Sequence, residues 1–138
     1  MERLAFQKVV ASSRVLMGIG LPGLSPTPYE ALCLGVPFIN PVENWDNKDP
    51  EDRSKWKSQH DGLLYAHVGE PYVYHVRVGD REGFERAIVK AMEAPIPRYI
   101  PKDMKISALV RRIQALLETD WQPVAHRRIQ DIGFRLDR

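Results

Sequence analysis

One cysteine, Cys33, stands in 138 residues, so an internal disulfide is not among the means that hold this chain together. It sits in the apolar run Ala31-Leu32-Cys33-Leu34 with no basic neighbour to lower its pKa, which suits a small buried hydrophobe and not a nucleophile. An excess of one charge is lacking as well: 20 basic and 18 acidic residues give a net charge of +2, spread along the sequence. That balance points to no nucleic acid or other polyanion, and Arg111-Arg112 and Arg127-Arg128 read as solvated helix faces. No apolar run approaches the roughly 20 residues that cross a bilayer, and the opening residues do not read as a charged-then-apolar leader. Neither Asn44 nor Asn47 has Ser or Thr two residues on, so no glycosylation acceptor is present. Paired carboxylates of the Asp-x-Asp type are missing too, and Asp46 and Asp49 read as solvated loop charges, which predicts no metal site.

Hydrophobic residues make up 43% of the chain, enough to bury the core of one domain. Their spacing predicts alternating helix and strand, the pattern of an α/β fold. Glu2 to Ser12 is expected to be helical with Leu4, Val9 and Val10 available for a core, and it feeds a buried strand at Arg14 to Met17. Gly18-Ile19-Gly20-Leu21-Pro22-Gly23 turns the backbone at that strand's carboxyl end. A Thr27 cap before Pro28 predicts a short helix. Gly35 stops it, and Val36 to Ile39 reads as the next strand. Asn40 to Gln59 is expected to be a long polar loop, either a lid near a site or a flexible insert. Gly62 to Ala66 predicts a helical turn and Tyr72 to Val76 a strand. Asp80 caps a helix whose stripe is Phe84, Ala87, Ile88, Ala91 and Met92, and a second helix carries Ile106, Leu109, Val110, Ile113, Leu116 and Leu117 on one face. With three convincing strands, the expectation is a partial parallel sheet whose earlier strands belong to a preceding stretch, making this chain marginally stable by itself. The expected division is a domain over 1–121 and a basic tail over 122–138, with a short helix around His126 to Ile132.

Strand, glycine turn, short helix and strand in that order build a ligand site at the strands' carboxyl ends. Ser25, Thr27 and the backbone N–H groups of Tyr29 and Glu30 lie where a helix start meets phosphate. Glu30, three residues after the Thr27 cap, has two readings: a capping-box partner, or a carboxylate accepting two hydrogen bonds from a diol. Lys48, Arg53, Lys55 and Lys57 offer cations from the loop, with Lys48 the preferred one. His60 reads as a polar contact to a ligand, beside a plain helix-start cap at Ser58. His75 alternates with Tyr72 and Tyr74 and reads as a satisfied core histidine.

Gly18 to Gly20, Pro26-Thr27-Pro28-Tyr29-Glu30-Ala31-Leu32, Gly35 and Pro37-Phe38-Ile39-Asn40-Pro41 together resemble the donor-binding segment of glycosyltransferases with two facing Rossmann-like domains, the GT-B fold. The closer resemblance is to the alpha-1,6-mannosylglycoprotein 6-beta-N-acetylglucosaminyltransferases, in which Lys57-Ser58-Gln59-His60 and Pro71-Tyr72-Val73-Tyr74-His75-Val76 have counterparts in the same order. It continues more weakly through Ile96 to Pro101 and on to about Trp121. The resemblance implies a partial Rossmann-like domain that binds UDP-GlcNAc without a divalent metal. Glu30 would hold the uridine ribose, Gly20, Ser25, Thr27 and Tyr29 would line the donor site, and Lys48 and His60 would contact the donor. The acceptor would be an alpha-mannose of an N-linked glycan, the general base would come from the missing N-terminal half of the enzyme, and the setting would be the lumenal side of the Golgi membrane.

A different class is also open. Gly18, Gly20 and Gly23 spell the glycine pattern of a dinucleotide-binding oxidoreductase, with Glu43 as ribose ligand. Against it, Leu24, Ser25 and Pro26 separate the third glycine from the helix. A non-catalytic protein keeping only the donor-site fold is the third reading.

Overall fold

The structure, a computed structural model, describes residues 2–20 and 23–131. It divides into two compact units, Met1–Pro101 and Lys102–Arg138. The first contains α1 (Arg3–Ala11), β1 (Leu16–Met17), α2 (Thr27–Cys33), β2 (Phe38–Asn44), β3 (Lys57–Ser58), α3 (Asp61–Tyr65), β4 (Val73–Arg77) and α4 (Arg81–Glu93). The second contains α5 (Ile106–Glu118) and α6 (Trp121–Asp131).

Strand β2 is the centre of the sheet. Along one edge it pairs in parallel with β4, from Phe38↔Val73 to Val42↔Arg77. Its other edge is shared: β1 runs parallel beside Phe38 and Ile39, and β3 runs antiparallel beside Val42 and Asn44. The sheet is therefore mixed, not wholly parallel as expected. The extra strand lies inside the stretch read as loop, where two residues of pairing leave no periodicity to detect. The fold is α/β as predicted, and β2 is longer at its carboxyl end than the apolar run suggested.

Successive β2 residues point to opposite faces. Phe38 packs with Leu32, Leu63, Val68, Val73 and Ile96 on the face covered by α2 and α3. Ile39 packs with Tyr74, Ala87 and Ala91 on the face covered by α4. A third cluster joins Val10 of α1 to Ala31 and Val36; Leu4 and Val9, expected in the core, are exposed. Asp80 caps α4 as predicted, its carboxylate accepting from the Gly83 N–H at 2.8 Å, but Met92 at the far end of the stripe is exposed.

The stretch between β2 and β3 is neither a lid over the glycine turn nor unstructured. Trp56 is buried against Val42 and Leu64, and its indole N–H donates to the Pro50 carbonyl at 2.9 Å. The Arg77 guanidinium donates to the same carbonyl at 3.2 Å and pairs with Glu51 at 3.0 Å. Asp52 accepts from the N–H and hydroxyl of Ser54, bonds that hold its carboxyl below the usual range.

In the second unit the predicted stripe of α5 exists as a helical face, yet Ile106, Leu109, Val110, Ile113, Leu116 and Leu117 are all exposed. Helix α6 begins at Trp121, earlier than the short helix expected from His126; Ile132 lies outside the described residues.

Gly35 ends α2 with φ +82°. The Val36 N–H returns to the Ala31 carbonyl at 2.9 Å and the Gly35 N–H to Leu32 at 3.1 Å, a Schellman motif that satisfies the last helical carbonyls. A Cβ here would sit in the left-handed region and 3.1 Å from the Ile96 carbonyl. Gly35→Ala is expected to lower the unfolding free energy by at least about 1 kcal/mol, read from the urea midpoint at unchanged m-value.

Candidate functional site

The turn that follows β1 and the start of α2 enclose a cleft of about 320 Å3. Gly18, Ile19, Ser25, Thr27 and Pro28 form one side, and Phe38, Gln59 and His60 the other. It opens at the carboxyl end of β1, where α/β sheets place ligands. A second cavity, of about 350 Å3, lies on the α4 side between Met17, Ile39, Val76 and Phe84. It is the more apolar of the two. The first cleft carries the convergent polar groups.

Those groups are positioned by one residue that the sequence reading passed over. Asn40, at mid-strand in β2, is fully buried. Its Oδ1 accepts from the His60 backbone N–H at 3.0 Å. Its Nδ2 shares two hydrogens among three acceptors, Ser58 Oγ at 3.0 Å, the His60 carbonyl at 3.3 Å and His75 Nδ1 at 3.1 Å. Ser58 passes the chain on, its hydroxyl and N–H both donating to Asp61 Oδ1 at 3.0 and 2.7 Å. One amide thus ties β2 to β4 and to the junction between β3 and α3. A polar residue between the apolar run Val36-Pro37-Phe38-Ile39 and Val42 was the available signal.

Both histidines have their tautomer set by carbonyls, which only accept. His75 Nε2 lies 2.9 Å from the Val68 carbonyl, so it carries the proton and Nδ1 is the lone pair that Asn40 meets. Burial lowers the His75 pKa below 6.5; the Val68 bond opposes this, and Arg53 adds to it. The satisfied core histidine predicted at this position is found. His60 Nε2 lies 2.9 Å from the Ser25 carbonyl, leaving Nδ1 bare and buried with no partner. Tyr29 stands edge-on to the His60 ring, with centroids 5.0 Å apart, and desolvation raises its phenol pKa. His60 is therefore held in the cleft wall by three neighbours, Asn40, Ser25 and Tyr29, and Ser58 is not a helix cap but a link in the Asn40 network.

The other anticipated residues fare differently. Gly20 closes the turn in the left-handed region at φ +64°, and Thr27 lines the cleft. Helix α2 begins at Thr27 itself, with Pro26 at the capping position and no side-chain cap bond, because Pro26 already has helical dihedrals. Glu30 consequently falls one position deeper: its N–H bonds the Pro26 carbonyl at 3.1 Å and is not free for a phosphate. Neither the capping box nor an open carboxylate is seen. Glu30 Oε1 pairs with the Arg3 guanidinium at 3.1 Å, a partner supplied by α1. Lys48 is exposed and does not line the cleft; its N–H bonds Asp46 Oδ1 at 2.9 Å in the stretch pinned back by Trp56. Arg53 lies over the Trp56 ring at 5.2 Å, and Lys55 and Lys57 are exposed. Gln59, quoted in the motif but given no role, lies in the cleft wall. Among the described residues no cluster of His, Cys, Asp and Glu is placed to hold a metal ion, and no helix is long and apolar enough to cross a membrane.

Residues 1–129 match the family model described as glycosyltransferase family 18. Alpha-1,6-mannosylglycoprotein 6-beta-N-acetylglucosaminyltransferase A of Rattus norvegicus is 29% identical over 127 residues, covering 81% of this chain and 16% of the relative. The same enzyme of Cricetulus griseus is 30% identical over 123 residues, with the same coverage. Transferase B of Homo sapiens is 28% identical over 124 residues, 82% of this chain and 15% of the relative. The chain thus spans about 16% of the length of the curated relatives it matches.

Two outcomes follow from the buried network. Asn40→Ala strands the His60 N–H and the His75 lone pair and takes one of two partners from the Ser58 hydroxyl, and should cost about 3 kcal/mol or more of stability, measured by urea unfolding. For His75 the folded pKa lies below the unfolded value, so above about pH 6.5 both states are neutral and it adds no slope. As pH falls below 6.5 the unfolded chain takes up a proton that the folded one refuses. Stability should therefore decline as pH falls from about 6.5 to 5.5, and His75→Gln should flatten that part of the profile.

Proposed function

The chain belongs to glycosyltransferase family 18, and from that membership we propose that it forms the donor-binding part of an inverting N-acetylglucosaminyltransferase. The donor is UDP-GlcNAc and the acceptor the 6-hydroxyl of an alpha-mannose in an N-linked glycan. The observation that carries this is the cleft at the carboxyl end of β1, walled by the turn from Gly18 and by Ser25, Thr27 and His60. In this reading the sheet is the carboxyl-terminal part of a Rossmann-like domain in a GT-B enzyme, working in the Golgi lumen. The acceptor-binding half and the general base belong to residues beyond these 138.

Transfer from a nucleotide diphosphate leaves negative charge on the departing phosphate, which fixed dipoles in a water-poor site can stabilise. Here those dipoles are the N–H of Thr27 and Tyr29 in the first turn of α2, together with the Thr27 and Ser25 hydroxyls; no divalent metal is invoked. Glu30 lies one turn along from Thr27 on the same helix flank and takes the ribose diol in a bidentate arrangement by exchanging its partner Arg3. Nothing favours the dinucleotide-oxidoreductase reading: Glu43, its required acid, belongs to the exposed end of β2, and the family match lies elsewhere.

Calorimetric titration of the chain with UDP-GlcNAc, with and without a chelator, and with NADH tests the reading. UDP-GlcNAc should bind equally in both conditions, and NADH should not bind. Glu30→Ala should weaken UDP-GlcNAc about tenfold or more, by the typical value of a charged hydrogen bond. Arg3→Ala, which frees the carboxylate, should leave affinity unchanged or raise it. Unaltered binding in Glu30→Ala would remove Glu30 from the site.

A further inference from the structure

We infer that Gln59 is the positioning residue of the donor cleft: its carboxamide clamps the Gly18–Gly20 turn onto the junction between β3 and α3. The inference rests on the donor-binding reading for its purpose, but its geometry is independent of it. Gln59 reaches three ways. Its backbone N–H donates to the Pro41 carbonyl of β2 at 2.9 Å, and its carbonyl accepts from the Leu24 N–H at 3.2 Å. Its side-chain Nε2 donates to the Gly20 carbonyl at 2.6 Å. The turn residues at both contacts, Gly20 and Leu24, have positive φ, +64° and +58°. Such a backbone, costly for Leu24, persists only where neighbours over-determine it.

The Gly20 carbonyl can only accept, so the amide nitrogen must face it and Oε1 must face Gly18. There Oε1 is buried and without a partner. The fit leaves room for no side chain: a Cβ on Gly18 would overlap the carboxamide oxygen, and one on Gly23 would lie 3.1 Å from the Gln59 carbonyl. Two of the three glycines are thus explained by their approach to one glutamine. A bond that leaves its other end unsatisfied holds the turn in place at a cost, and only a hydrogen-bond donor at position 59 makes it.

Three variants of the 138-residue chain test this, with amide hydrogen exchange and UDP-GlcNAc titration as readouts. Gln59→Ala removes the clamp and should speed exchange in Gly18–Gly20 about tenfold and weaken UDP-GlcNAc similarly, while the exchange of β4 stays as in the parent. Gly18→Ala displaces the carboxamide and should do the same, and the double variant should be no worse than either single one. Gln59→Glu faces an accepting carboxylate toward an accepting carbonyl at pH 7.5; protonation restores a donor, so affinity should recover severalfold by pH 5. The titratable or charged groups around position 59 are His60 in the cleft lining and Lys57 and Asp61 on its own segment, so the parent chain's profile over the same range is subtracted. The two phosphates of UDP-GlcNAc keep their charge throughout. Unchanged exchange at Gly18–Gly20 in Gln59→Ala, or additive losses in the double variant, would overturn the clamp. Faster exchange in a chain that binds no UDP-GlcNAc would leave the clamp standing and sink the donor-binding reading alone.

Discussion

The His60 wall of the cleft is referred back to the side-chain amide of Asn40. A buried amide whose partners are removed costs the desolvation of every group left behind, whereas each made bond contributes only about 1 kcal/mol. The network is stable because it is complete: Oδ1 has its N–H, Nδ2 has its acceptors, and each acceptor is fixed by another bond of its own. The His75 lone pair faces Asn40 only because the Val68 carbonyl holds the proton on the opposite nitrogen. The Ser58 hydroxyl accepts from Asn40 only because it gives its own proton to Asp61. A rotation of any one of these would place acceptor against acceptor, so the arrangement has one low-energy state.

That single state carries over to the cleft wall. His60 follows Ser58 by two residues, and its backbone is held by Asn40 on both sides, through N–H and carbonyl. Its ring is then directed at the Ser25 carbonyl, which sets the approach of the chain into α2. Two walls from distant parts of the sequence, the α2 start and the β3–α3 junction, are therefore registered to each other through β2. Among the described residues the lining carries no charged side chain. Glu30, outside that lining, pairs with the Arg3 guanidinium at 3.1 Å. A carboxylate parked on a mostly exposed guanidinium loses little when it leaves, since surface pairs of this kind contribute at most about 1 kcal/mol.

How much of this was readable from the chain depends on the range of the interaction. Local signals were sufficient for the Asp80 cap, the Gly35 stop, the apolar halves of β2 and β4, and the α4 stripe as far as Ala91, because each is decided within four residues. The helix start failed by one position because Pro26 satisfies the dihedrals of the capping site as readily as a Thr cap does, and the sequence holds both. Strand β3 failed because its two residues are strands only by pairing with Val42 and Asn44. Lys48 was chosen for its charge, but the path of its segment is set by Trp56, Pro50 and Arg77, residues whose meeting no spacing rule foresees. Arg3 was missed as the partner of Glu30 for the same reason, since 27 residues separate them.

The glycines show how one pattern supports two mechanisms until geometry separates them. In a dinucleotide fold the spacing Gly18, Gly20, Gly23 would serve a tight turn, a close pyrophosphate and a helix packed on its strand. Here only the first of these survives. Gly20 supplies the turn, but Gly18 is small because a glutamine 41 residues away presses on it, and Gly23 because the same residue's carbonyl does. The close approach is made by Gln59, so these two glycines record contact with the protein's own wall. A glycine pattern is thus evidence that something approaches the backbone closely, and identifying what approaches requires knowing which element lies opposite. In this chain it is the β3–α3 junction, and the same junction carries His60 into the cleft.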